Sequence, residues 1–284
     1  MSEPTGARMP TPGVVEELSP RIRRITQDNP SVFTGVGTNT HLVGTGVLFI
    51  LDPGPDDEAH FRAIVGAVGE AAVAAVIPTH HHADHWPLAP RLASHFDAPT
   101  LGFGEEGDYR PDRLVEDGEE LAAGDVVLRA VHTPGHAPDH LCYLLECERT
   151  LFSGDHVMGW STSVIAPPGG NLNQFLASLD KLEALDYDRM VPAHGLPVDR
   201  PYERIREIRE HRQERTRQAL AAVGEGLETI PEMVLSIYAD VDPKLHTPAG
   251  WSLLAHLQAL AEDGRVAMEG EAAEPMALRW RLTG

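Results

Sequence analysis

Thr79-His80-His81-His82-Ala83-Asp84-His85 decides the reading of this chain, because an apolar run breaks off there into four histidines and an aspartate within six residues. The run before it, residues 73–77, is short, apolar and rich in β-branched side chains, which predicts a buried strand, and Pro78 ends it. The cluster therefore sits at a strand's end. If the extended backbone persists, His80 and His82 project to one side, and the following loop can swing Asp84 and His85 round to face them. Neutral imidazoles and a carboxylate are ligands that zinc takes in catalytic sites, whereas closed structural sites favour thiolates. The bland alternative is a solvated histidine loop that binds metal adventitiously.

Three further stretches weigh against that alternative. Thr133-Pro134-Gly135-His136, Ser153-Gly154-Asp155 and Pro192-Ala193-His194-Gly195 each follow an apolar run and place a histidine or aspartate just past it. With the first cluster they supply His80, His82, His85, His136 and His194 together with Asp84 and Asp155. Ligands of that number suffice for two metal ions. Imidazole and carboxylate suit zinc first, with iron and manganese also compatible.

These four motifs resemble the metallo-beta-lactamase superfamily, whose members place H-x-H-x-D-H, a downstream His, a bridging Asp and a last His on loops at one edge of a sandwich. The resemblance implies that His80, His82 and His136 hold a first divalent metal, that Asp84, His85 and His194 hold a second, and that Asp155 bridges both. Within the superfamily the chain is similar to the beta-lactamase-like group that includes a mitochondrial endoribonuclease, and to hydroxyacylglutathione hydrolases. Gly37-Thr38-Asn39-Thr40-His41-Leu42-Val43-Gly44, Asp52-Pro53-Gly54 and the C-terminal segment carry the first likeness. Trp86-Pro87-Leu88-Ala89 departs from it, standing where many relatives have a Gly-Gly pair. The fold so implied is α/β, an αββα sandwich with a small winged-helix-like domain after it.

The chain has 284 residues, 42% of them hydrophobic, enough for one sizeable core and a second small domain. Two domains are expected, residues 1–200 and 201–284. Residues 1–12 hold no apolar leader, and no stretch approaches the roughly 20 apolar residues of a membrane span, so a soluble, cytoplasmic protein is expected. Cys142 and Cys147 lie five apart on an expected strand and read as reduced core residues. The formal net charge of -20 repels nucleic acid at long range and favours neutral or cationic partners. A small acyl substrate fits this balance better than RNA does.

Along the chain, residues 21–25 and 47–51 read as strands, with the Gly37-Thr38-Asn39 turn region between them, and Asp52 after the second reads as structural, though the resemblance implies a place near the site. Residues 57–68 carry Phe61, Ile64, Val65 and Val68 at helical spacing, giving one face to cover a sheet. His95 falls in a helix and takes no role. Residues 125–131 and 141–146 read as strands flanking the second motif. His132 beside that motif is ambiguous, His140 is a candidate for supporting the site or touching substrate, and His156 alternates away from Asp155. The long, weakly periodic stretch 157–173 is expected to line a pocket. Residues 172–185 return to helical spacing, and 189–192 form the strand that delivers His194.

Composition changes near residues 196–201. Residues 202–223 form a polar helix with six arginines and four glutamates, read as a solvated face. Helices over 230–239 and 247–262, then a hairpin from 265–268 and 276–282, complete the winged-helix-like module. The ligand set implies a hydrolase in which hydroxide bridging two metals attacks the substrate and Asp84 accepts the water's proton. No G-x-S-x-G appears. A thioester, ester or lactone is the favoured substrate class; single-stranded RNA cleavage, or a non-catalytic metal-binding or regulatory role, are the alternatives.

Overall fold

The computed structural model describes residues 9–270 and 274–283. The reading of residues 1–12 as leaderless thus falls largely outside the described residues. The chain divides into two compact units: residues 1–133, 139–162 and 184–204 form one, and 134–138, 163–183 and 205–284 the other. No change in composition announces the two short segments that the second unit takes from within the first 200 residues.

The first unit contains two five-stranded sheets. One runs β1 (Val15–Ser19), β2 (Ile22–Thr26), β3 (Asn39–Val43), β4 (Val47–Leu51) and β5 (Ala72–Ile77), with α1 (Glu58–Val68) between β4 and β5 and α2 (Ala89–Phe96) after β5. A short parallel pair, β6 (Leu101–Gly102) and β7 (Arg113–Leu114), leads to the other sheet. There β8 (Glu120–Ala123), β9 (Val126–His132), β10 (Leu141–Leu145), β11 (Thr150–Gly154) and β12 (Arg189–Pro192) lie in order from one edge.

Each sheet is antiparallel except at one end, where β5 pairs parallel to β4 and β12 parallel to β11. A parallel neighbour has to be reached by a crossover, which α1 supplies for β5. Strands so paired finish at the same edge of their sheet. Asp52 after β4 and residues 79–85 after β5 are gathered at one such edge, Asp155 after β11 and His194 after β12 at the other. The two edges are joined: Asn39 N–H donates to Ala193 O at 2.7 Å, and Thr38 and His194 form an isolated antiparallel bridge.

Burial explains the apolar runs. Phe49, Leu51, Ala75 and Ile77 of the first sheet pack with Leu128, Ala130, Tyr143 and Phe152 of the second. On the opposite face, Leu42, Leu48 and Ile50 meet Ile64 and Val68 of α1 and Leu88 and Leu92 of α2 or its entry. A strand covered on both faces reads as continuous rather than alternating hydrophobicity. In β5 the register passes from Leu48↔Val73 to Phe49↔Ala75, so Ala74 is an extra residue. That bulge lets Val73 and Val76 both face the helices.

Three expectations are corrected. The expected Gly37-Thr38-Asn39 turn region already gives way at Asn39 to a fully buried central strand, Asn39–Val43, whose polar Asn39, Thr40 and His41 mask the pattern. Cys142 is buried as expected, but Cys147 lies beyond β10 in the turn Glu146–Glu148 and is exposed. The third concerns α4 (Pro201–Gly224), which is not simply a solvated face. Ile205, Ile208, Arg212, Ala219, Ala222 and Val223 form a buried stripe along it, hidden in the sequence by the arginines.

The second unit also holds α3 (Leu172–Glu183), α5 (Ile230–Ile237), α6 (His246–Glu262), and a hairpin of β13 (Val266–Glu269) with β14 (Arg279–Leu282). Its core joins Val223 of α4, Met233 of α5, Leu253 and Leu257 of α6, Val266, and Trp280. A Thr229–Glu232 capping box starts α5. Among the described residues no helix is long and apolar enough to cross a membrane.

Candidate metal centre

Pro78 closes β5, and the backbone then turns tightly, His85 N–H donating to His82 O at 2.9 Å. The turn sets His80 Nε2 and His82 Nδ1 2.8 Å apart, so the two imidazoles converge on one point. His80 Nδ1 lies 3.1 Å from Thr79 Oγ1. His85 is fully buried, its ring centroid 4.1 Å from that of His80. Its Nε2 is 3.6 Å from Asp84 Oδ1 and 3.7 Å from Asp155 Oδ1. His194 Nε2 lies 3.3 Å from Asp84 Oδ2 and 3.2 Å from Asp155 Oδ1. Among the described residues of the first unit two groups result, His80 with His85 and Asp155, and Asp84 with His85 and His194, each with ligand atoms within 4.8 Å of one another.

A divalent cation fits this donor set. His85 Nε2 and His194 Nε2 are buried and face Asp84 and Asp155 at 3.2–3.7 Å outside hydrogen-bonding geometry, an arrangement that a cation held among these atoms would satisfy. Electrostatics point the same way. Burial opposes charging the His194 ring, yet Asp155 and Asp84 raise it to about 9. The same opposition, with Asp84, Asp52 and Asp155 prevailing, leaves His85 well above its ordinary value. Burial pushes Asp84 up, but the His85 and His194 rings draw it down to about 2. The carboxylates thus call for positive charge at this point, which a metal ion supplies with neutral imidazoles.

The supporting residues are less visible in sequence. Asp52 Oδ1 accepts from Thr79 N–H at 2.7 Å and Thr79 Oγ1 at 2.9 Å, and stands 3.1 Å from His85 Nδ1. This residue, read as structural, is a carboxylate behind a candidate ligand histidine. His140 is fully buried. Its Nε2 accepts from Asp155 N–H at 3.1 Å and its Nδ1 meets Thr133 Oγ1 at 2.8 Å. Both ring nitrogens are thus engaged, one of them with the backbone that carries Asp155. A hint lies in Gly154, where a Cβ would come within 2.6 Å of His140 Nε2.

His136 belongs to the second unit, where its Nδ1 donates to Val164 O at 2.7 Å. That bond leaves Nε2 as the ring's lone pair. Trp160 covers the turn after His194, since a Cβ on Gly195 would meet its ring at 2.6 Å. His132 stacks on Phe103 with centroids 3.6 Å apart, and His95 packs edge-on against Phe61. Trp86, at the position that departs from the resemblance, packs against Tyr109 with centroids 5.4 Å apart.

Comparison with known proteins places this geometry. The family model of the metallo-beta-lactamase superfamily matches residues 33–194, and that of the beta-lactamase associated winged helix domain matches 229–280. The lactamase-like protein adaB of Aspergillus niger is 31% identical over 295 residues, covering 98% of this chain and 91% of its own length. A protein named atrochrysone carboxyl ACP thioesterase, from Aspergillus chevalieri, is 31% identical over 99% of this chain and 93% of its own. In fold, the crystal structure of a beta-lactamase domain protein from Burkholderia ambifaria aligns with TM-score 0.84 over 99% of this chain and 96% of that one, at 23% identity. The chain belongs to the metallo-beta-lactamase superfamily, as a hydrolase with the beta-lactamase associated winged helix domain at its C-terminal end.

Proposed function

We propose that the protein is a dinuclear metal-dependent hydrolase of acyl thioesters, with esters and lactones as the neighbouring classes. The observation that carries this reading is the convergence of His85, His194, Asp84 and Asp155, with buried imidazole nitrogens facing the carboxylates outside hydrogen-bonding geometry. His80, His82 and His136 would hold one ion and Asp84, His85 and His194 the other, with Asp155 shared; His136 is assigned from its motif. Zinc is the first candidate, and iron or manganese would suit the same ligands.

Bound there, the ions would polarise the acyl oxygen and acidify water near neutral pH. Asp84 retains a partly exposed side chain and stays ionised, so it can take the attacking water's proton. Asp52 and His140 hold His85 and Asp155 in place behind it. The reaction consumes water and a thioester and releases a carboxylate and a thiol. The relative named as a thioesterase supports this substrate class, as does the net charge of -20, which disfavours RNA.

The winged helix domain favours RNA cleavage as the second reading. One experiment separates the two. Metal-loaded protein is given acyl thioesters, with thiol release followed by a chromogenic disulfide, and in parallel a labelled single-stranded RNA, beside Asp84→Ala. Thiol release that disappears in the variant and after chelation is expected, with RNA left intact. RNA cleavage lost in Asp84→Ala, without thioester turnover, would replace the first reading by the second.

A further inference from the structure

Gly37-Thr38-Asn39-Thr40 stands out in the sequence but takes no part in the chemistry above. Its residues hold three segments of the site: the turn that carries His194, the loop that carries Asp84, and Asp52. Gly37 O faces His194 Nδ1 at 3.3 Å. Thr38 Oγ1 donates to Asp84 O at 3.0 Å. Asn39 Nδ2 donates to Pro192 O at 3.1 Å and to Gly195 O at 2.9 Å, straddling the turn that carries His194. Thr40 Oγ1 donates to Asp52 O at 2.8 Å, behind the carboxylate that faces His85.

The strip is itself immobilised. Asn39 is fully buried, and its Oδ1 accepts from Thr26 Oγ1 at 2.7 Å, which fixes which end of the amide faces His194's turn. Arg24 adds a second donor to Gly195 O at 3.1 Å. Thr38 N–H donates to Asn29 Oδ1 at 2.8 Å, and Asn29 Nδ2 donates to Thr38 Oγ1 at 3.0 Å. At Gly37, φ is +147° and a Cβ would lie 1.8 Å from Gln27 O, so no side chain is admitted.

We infer that residues 37–40 are a positioning strip for the metal ligands, with Asn39 the positioning residue of His194 and Thr38 that of Asp84. The strip touches neither substrate nor metal. It fixes the separation between the loop after β5 and the turn after β12, which belong to different sheets. Asn is suited to position 39 because two amide protons span two carbonyls while the oxygen takes a third bond. This inference rests on the metal-dependent reading above.

The test is metal affinity, measured by competition with a chromophoric chelator on purified full-length protein, with circular dichroism reporting the fold. Thr38→Val, nearly isosteric, and Asn39→Ala are expected to weaken zinc binding by about 10–100-fold, as loss of a ligand's supporting partner does. Thr38→Ser, which restores the hydroxyl, should return to wild-type affinity. Thr150→Val is the control, since it removes a buried hydroxyl bonded to Glu148 O far along β11. Folded Thr38→Val with wild-type affinity would overturn the inference, as would an equal loss in Thr150→Val. Wild-type protein that takes up no metal would instead bring down the functional reading, and this inference with it.

Discussion

Asp52 adopts a left-handed backbone, φ 47°, immediately after β4, and this places its carboxylate between Thr79 and His85. Asn tolerates that conformation, so Asp52→Asn should fold while removing the charge that faces His85. Its zinc affinity is expected to fall by about 10–100-fold with little change in melting temperature of the metal-free protein. Unchanged affinity in a chelator competition would remove Asp52 from the site. The cysteines offer an independent check at this scale. One thiol, Cys147, should react rapidly with a disulfide reagent in native protein, and Cys142 only after denaturation. The candidate ligands were legible because imidazoles and carboxylates rarely cluster by accident at strand ends. Asp52 was less so, since a single Asp after a strand resembles any turn residue; His140 stood out beside the second motif, but nothing in the sequence decides between supporting the site and touching substrate.

Strand β3 and helix α3 each set one constraint that can be tested. On β3, burial, with Arg24 adding to it, lowers His41 to about 3, and no hydrogen bond reaches its Nε2. The folded state therefore binds fewer protons at this ring than the unfolded chain does. Stability from His41 is present above about pH 6.5 and is lost as pH falls from there towards 3. Urea unfolding should show a weaker acid-dependent loss in His41→Leu than in wild type; identical pH profiles would contradict the burial argument. Beside α3, Gly135 has φ +132° and a Cβ there would sit 2.3 Å from Phe175 Cα. Gly135→Ala should cost about 3 kcal/mol or more, because backbone cannot move aside as a side chain can. Helices were readable from their spacing. β3 was missed because it buries Asn39, Thr40 and His41 among its apolar residues, and the buried stripe of α4 because Arg212 sits within it.

As a whole the molecule carries 23 basic against 43 acidic residues, and that imbalance acts on every charged partner. The KM for an anionic coenzyme A thioester should fall as salt rises, while that for an uncharged short thiol ester should stay level; a KM that climbs with salt would point to a local basic approach instead. The sandwich and the winged helix domain could be anticipated from motif order. The interleaving of the two units could not, because residues 134–138 and 163–183 join the second through folding rather than through any local property of sequence. The join between the two sheet edges spans long reaches of chain: His194 meets Gly37 across 157 residues and Asn39 meets Gly195 across 156. Closing so long a loop is entropically unfavourable, which places this joint late in folding, after each sheet has formed its own neighbours. Contacts made after the transition state govern how fast a protein comes apart rather than how fast it forms. A metal held by the candidate ligands would clasp this joint, and should therefore leave refolding rates alone and slow unfolding, so that the lifetime of each molecule follows the supply of metal around it.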